Sequence, residues 1–269
     1  MVVTPLVPLL FSACTSDLAP SAPLAEDARL AVLPPEAAVV FRLAPGRFVA
    51  DLEDAGLPEG LDLADASALG GCGPSGCLAL VEAAPRVLNP AASPAALVPT
   101  RLDRVAPDGT PLVWRVLGPG KAVLGDAPAV AEAWQGVQAE APGFDAARYA
   151  DDVPAGESWL LVVDAEGFGE QAARRLDRLA TPGGHAVGES LARFDTFWPG
   201  LRARSATFAM AFDDEAGLLR ARVRCHSEAD AVAVEAEAWA RAGFSPLEVE
   251  SIRREGVRVE ITVQPAGLL

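Results

Sequence analysis

The sequence predicts an α+β fold made of two similar halves, each a set of antiparallel strands with helices packed on one face. Three observations carry that expectation. Short β-branched or apolar runs recur between Pro- and Gly-rich turns, as in Ala37–Leu43, Leu112–Leu117 and Val257–Val263. Two later stretches repeat apolar residues at helical spacing, each reaching a Glu-Ala-Trp triplet at Glu132–Trp134 and Glu237–Trp239. Finally, residues 33–55 and 153–175 share an order of proline start, apolar strand, short break and amphipathic helix, which reads as an internal two-fold repeat.

Taken in order, Ala37–Leu43 is a strand, and Arg47–Ala55 is a short helix that places Phe48 and Leu52 four residues apart. Residues 56–71, rich in Gly, Leu and Asp, read as a loop. Strands are expected at Cys77–Ala83, Leu97–Val105, Leu112–Leu117 and Lys121–Leu124. Asp126 then stands where an N-cap belongs, and Ala127–Val137 is the helix that closes the first half. Residues 31–140 form this half, and the Pro- and Gly-containing stretch 141–156 separates it from residues 157–269.

The second half opens on a strand at Trp159–Val163, followed by helices over 168–179 and 186–197. A hairpin joins Ala206–Phe212 to Leu218–Cys225 through the acidic tip Asp213–Gly217. Ser227 with Asp230 has capping-box spacing, Gly243 stops the next helix, and Val249–Arg253 with Val257–Val263 makes a last hairpin.

Composition bounds the function. With 51% hydrophobic and 22% charged residues in 269, the chain can bury a real core. A net charge of -15 opposes attraction to phosphate backbones, so nucleic acid is not an expected partner. The first thirteen residues are uncharged and mostly apolar but shorter than the roughly 20 residues that span a bilayer. Leu10-Phe11-Ser12-Ala13-Cys14 resembles the lipobox of bacterial lipoprotein signal peptides. That resemblance implies that residues 1–13 are a signal peptide and that Cys14 is acylated as the mature N-terminus. Thr15, in place of an aspartate, implies outer-membrane placement. Residues 14–30, rich in Pro, Ala, Ser and acids, then read as a flexible tether. The alternative for the first residues is an apolar strand with a buried cysteine.

Leu33–Leu43, Lys121–Trp134 and the fresh start at Glu157–Asp164 also resemble a bacterial domain-of-unknown-function family of extracytoplasmic, often lipid-anchored proteins built of repeated α+β units. The resemblance implies no catalytic residue.

The residues able to do chemistry are few. Cys72 and Cys77 bracket Gly-Pro-Ser-Gly, and in an exported protein a structural disulfide is the expectation, with free thiols as the alternative. Zinc would have to recruit Cys225, His185 or His226, which lack a second pair at ligand spacing, so no metal or cofactor is expected. Cys225 and His226, adjacent on a strand, point to opposite sides and suit a buried thiol better than a nucleophile and its base. His185 and Glu189 read as a solvated helical pair, and Asp213-Asp214-Glu215 as a polar hairpin tip without calcium-loop spacing. Gly118-Pro-Gly120-Lys121 fits neither a Walker loop nor a dinucleotide fingerprint, and no Gly-x-Ser-x-Gly elbow occurs. Of the tryptophans, Trp114, Trp134, Trp159 and Trp239 are assigned to the core and Trp198 is left outside it.

The expected function is therefore a lipid-anchored envelope protein, facing the periplasm or the cell surface, that acts as a non-enzymatic binding or structural module for another envelope protein or a glycan. Two alternatives stay open: a carrier of a lipid or other apolar ligand, and an extracytoplasmic hydrolase whose site is assembled from distant residues. A carrier calls for an apolar pocket of roughly 300 Å³ or more, an enzyme for converging titratable groups, and a binding module for an exposed apolar or aromatic patch.

Overall fold

The computed structural model describes residues 30, 32–44, 67–82, 100–105, 111–118, 121–139, 141–163, 201–213, 216–242 and 248–264. Among them eleven strands form one sheet: β1 (Val39–Leu43), β2 (Ser67–Gly73), β3 (Gly76–Glu82), β4 (Thr100–Val105), β5 (Pro111–Gly118), β6 (Lys121–Asp126), β7 (Ser158–Val163), β8 (Ser205–Asp213), β9 (Leu218–Cys225), β10 (Glu248–Glu255) and β11 (Arg258–Gln264). The helices are α1 (Ala127–Gln138), the single turn α2 (Leu201–Arg204) and α3 (Glu228–Ala242). The fold is α+β, mostly antiparallel sheet. Strand order is β10-β11-β9-β8-β7-β1-β2-β3-β6-β5-β4, and the halves join where β1 pairs antiparallel with β7. Phe41 there faces Leu160 and Val39 faces Val162.

The sheet buries both faces. On one, Val39, Phe41, Leu160, Met210, Val223 and Ile261 form a core closed by Ala231, Val234 and Ala238 of α3. On the other, Val40, Leu78, Val123 and Leu161 pack under Ala129, Val130 and Ala133 of α1, together with Leu30, Leu33, Phe144 and Tyr149. The other helices expected of each half lie outside the described residues, while α1, of the first half, and α3, of the second, lie on opposite faces of the sheet, a placement that the sequence does not indicate. The reason is the alternation of side chains along a strand: where both faces are covered, every position reads as apolar, and sequence gives no preferred side. Nor do the two Glu-Ala-Trp helices occupy equivalent places in the chain. α1 follows β6, whereas α3 lies between β9 and β10.

Two local expectations change as well. Residues 67–71, expected in a loop, belong to the central strand β2. Gly70 and Gly71 masked it, yet both are required by close packing. A Cβ on Gly70 would run into the Phe41 ring and lie 2.7 Å from the Leu78 carbonyl oxygen. Asp126 precedes α1 but makes no side-chain cap bond to it. Its Oδ2 instead accepts the Cys77 backbone N–H at 2.8 Å, and the carboxylate stands where a Cβ on Gly76 would fall. By contrast, the cap of α3 forms as the sequence indicates: the Asp230 N–H donates to Ser227 Oγ at 3.1 Å, and that hydroxyl donates to Asp230 Oδ2 at 2.6 Å.

Residues 1–29, which hold Cys14, and the helices expected at 47–55, 168–179 and 186–197 lie outside the described residues. No helix among the described residues is long and apolar enough to cross a membrane.

Candidate interaction surface

Cys72 and Cys77 face each other in the β2–β3 register and are joined by a disulfide, both fully buried. They staple a hairpin whose turn is Pro74-Ser75. Cys225 is a buried free thiol at the end of β9. Desolvation, and secondarily Asp230, push it up to about 11 against the opposing influence of Arg204. Its neighbour His226 is exposed, and its backbone N–H donates to the Arg204 carbonyl, so the strand separates the thiol from the imidazole. His185 and Glu189 lie outside the described residues, among which no cluster of three potential metal ligands occurs.

The outward positions of β9 that alternate with its apolar ones are Arg220, Arg222 and Arg224. They are covered by the segment that follows α1. Arg222 Nε donates to Glu260 Oε2 at 3.0 Å, and its Nη1 donates to the Asp151 carbonyl oxygen at 2.8 Å. Arg224 Nε stands 3.2 Å from the Asp152 carboxylate, and Arg258 Nε 3.5 Å from it. The same carboxylate accepts the Thr207 hydroxyl at 3.0 Å. Arg220 pairs with Asp213 at 3.0 Å and donates to the Ala155 carbonyl oxygen. These guanidinium groups are engaged with their own chain, so the ladder is a clasp between the connecting segment and the second half. Residues 141–156, expected as a separating stretch, carry that clasp.

At the other end of the molecule, Arg115 lies over the Trp134 ring, 3.6 Å from its centroid, and burial pushes this guanidinium's pKa down. Beside it Val32, Val123, Val130 and Ala133 line a cavity of about 10 Å³, space for one water.

The exposed apolar surface lies elsewhere. Trp239 is 54% and Val232 49% exposed, both on α3. Ala229, Val232, Ala236 and Trp239 follow one another at spacings of three and four and are all exposed, with Ala240 beside them. The core of the same helix uses a second register, Ala231, Val234 and Ala238. α3 is therefore apolar on its core side and carries a second, smaller set of apolar residues outward. Its charges sit on the flanks and fold back onto the protein: Arg254 to Glu235 at 2.7 Å, and Arg204 and Arg241 each to Glu237 at 3.2 Å. What remains outward is Val232, Trp239 and the alanines, with the exposed Glu228 of the first turn beside them.

Trp239 does not belong to the core, contrary to expectation, whereas Trp159 does and Trp134 is half-buried. The signal was present as two interleaved apolar registers in one helix, only one of which a sheet can cover. Trp198 and the side chain of Trp114 lie outside the described residues.

No protein-family model matches the chain, and no curated protein does. Among solved structures it is similar to crystal form I of TP0453, at 9% identity and a TM-score of 0.47 over 88% of this chain and 92% of that one. Crystal form III of the same protein aligns at 10% identity, again with a TM-score of 0.47, over 88% of this chain and 94% of that one.

Proposed function

We propose that this protein is a non-catalytic docking module, held at the envelope by an acylated Cys14 and binding a protein partner through the outer face of α3. The observation that carries the reading is the exposed Trp239–Val232 ridge on a helix that carries apolar residues outward as well as toward the core. Interfaces concentrate their energy in a few aromatic anchors ringed by small or polar contacts, and a half-exposed Trp flanked by Ala236 and Ala240 has that form. An acidic chain favours a protein face over anionic lipid for this ridge. A non-catalytic role is supported by the chemistry at hand: the thiol at Cys225 is buried and held protonated, and the arginines of β9 already have partners.

The anchored placement, at the outer membrane and facing the periplasm or the surface, rests on the lipobox-like run ending at Cys14 and on Thr15 after it. Leu30, which the sequence places at the end of the 14–30 tether, is instead buried in the core. A duplicated origin is supported by strand order. Outward from the β1–β7 junction, one side runs β1-β2-β3-β6-β5 and the other β7-β8-β9-β11-β10, each a strand, a hairpin and a second hairpin that inserts its last strand against the first. The further strand β4 and the different placement of α1 and α3 distinguish the halves.

The test compares wild type with Trp239→Asp and Val232→Asp after chemical crosslinking in intact envelopes. The expected result is one defined crosslinked species that both substitutions remove while thermal stability is unchanged. Species identical in wild type and both variants would refute docking through α3.

A further inference from the structure

We propose that the groove beside Arg115 is the seat of the chain's own N-terminal segment, with Glu26 paired to Arg115 and Leu24 against the apolar wall. The arginines of β9 each meet a carboxylate of the chain, at Asp213, Glu260 and Asp152. Arg115 meets none among the described residues: its Nε is buried without a hydrogen-bond partner, and its guanidinium lies over the Trp134 ring. A half-buried charge left unpaired is costly, and a guanidinium held over a ring still presents N–H donors to a carboxylate. The wall beside it is apolar, running from Val123, Val130 and Ala133 to Trp134 and the exposed Val137. The enclosed space takes one water only, so an occupant lies along the surface between Arg115 and Val137. What fits there joins one carboxylate to one apolar side chain.

The chain itself delivers such an occupant. Val32 lines the groove, and Leu30 and Leu33 are buried in the same core, so the residues before Leu30 leave the core at the groove. Glu26 precedes Val32 by a stretch that reaches up to about 20 Å. In an extended segment Leu24 and Glu26 project to the same side, about 7 Å apart. A carboxylate on so short a connection has an effective concentration on the order of millimolar, above that of dilute free anions. The contact itself needs neither acylation of Cys14 nor a partner at α3. On a chain anchored at Cys14, it leaves residues 15–23 as the free tether, at most about 30 Å long. Because α1 and α3 lie on opposite faces of the sheet, it also turns the Trp239 side of the molecule away from the membrane.

The test uses the full chain with Cys14→Ser and Ala25→Cys, the new thiol carrying bimane, a dye that tryptophan quenches on contact. Cys225 is buried and Cys72 is bonded to Cys77, so the label goes to one site. With most copies seated, emission is expected to rise about twofold or more when Trp134→Phe removes the quencher. Glu26→Arg and Arg115→Glu are each expected to raise it as much, and the two combined to restore quenching, since the pair is then reversed in sign. Glu26 lies outside the described residues and Glu26→Arg disturbs none of the described core, so it reads the contact even where Arg115→Glu fails to fold. Arg42 is the comparison: its Nε is also buried and unpartnered, but it stands four strands away in the same row of the sheet, at about 19 Å. Arg42→Gln is expected to leave the quenching in place. Emission unchanged by Trp134→Phe, emission raised by Arg115→Glu but not by Glu26→Arg, release by Arg42→Gln in place of Arg115→Glu, or a double variant no more quenched than the single ones would overturn the inference.

Discussion

Replacing Asp152 with alanine tests whether the connecting segment is clasped to the second half as described. The carboxylate is buried, accepts the Thr207 hydroxyl at 3.0 Å, and stands 3.2 and 3.5 Å from Arg224 and Arg258. Truncation leaves the buried Thr207 hydroxyl without an acceptor, at a cost of about 1–3 kcal/mol. The two arginines are about a third exposed and regain water, so each lost pairing adds at most about 1 kcal/mol. The sum is about 1–5 kcal/mol, which at roughly 2–4 °C per kcal/mol for a chain of this size lowers Tm by about 2–20 °C. Asp152→Asn keeps an acceptor for Thr207 and is expected to lose about half as much. Asp151→Ala serves as the control, because that carboxylate is largely exposed and 3.4 Å from Arg258, an ion pair worth about 0.5 kcal/mol or less. Urea unfolding followed by tryptophan fluorescence measures all three. A loss below about 1 kcal/mol for Asp152→Ala, or equal losses for Asp151→Ala and Asp152→Ala, would refute the clasp.

Gly70→Val places a side chain into the Phe41 ring and against the Leu78 backbone, and is expected to cost more than about 3 kcal/mol or to prevent folding, read by the soluble yield and the urea midpoint. Reducing Cys72–Cys77, or replacing both residues with alanine, opens a loop of a few residues and is expected to cost about 2 kcal/mol on chain-entropy grounds, checked by unfolding with and without reductant. The unfolded chain releases the Cys225 proton near 9.0, whereas the fold holds it to about 11, so stability falls as pH climbs through that window. Alkaline titration of wild type against Cys225→Ala is expected to show a shallower decline in the variant over that window; identical slopes would contradict it. Finally, metabolic labelling with a fatty-acid probe is expected to mark wild type and leave Cys14→Ala unmarked, and equal labelling of the two would remove the anchor.

The alternation of apolar runs and turns made nearly every described strand legible, because strand limits are set by Gly and Pro punctuation that local chemistry enforces, as at Gly217 and Gly256 in their positive-φ turns. β2 escaped because Gly70 and Gly71 are there for the ring of Phe41 and the side chain of Leu33, partners distant in sequence. Asp126 looked like a cap because it precedes an apolar helix, yet its carboxylate is drawn to the Cys77 amide on a neighbouring strand. The face on which each helix packs was not legible. β3 and β7 are each buried on both sides, and their composition is the same whichever helix lies above. The interaction surface was visible in principle as the second apolar register of α3, but a tryptophan in an amphipathic helix defaults to the core, and only the sheet beneath α3 shows which register it takes. The arginines of β9 alternated in plain sight, while the acidic partners of Arg222 and Arg224 are Glu260 and Asp152, separations that no local pattern reveals.

The most direct test of docking through α3 is photocrosslinking in intact envelopes from a photoreactive residue placed at position 239, with the exposed Glu255 position as the comparison. The account predicts a discrete adduct from position 239 and none of comparable yield from position 255. Absence of any adduct from position 239, or the same adducts from both positions, would contradict it.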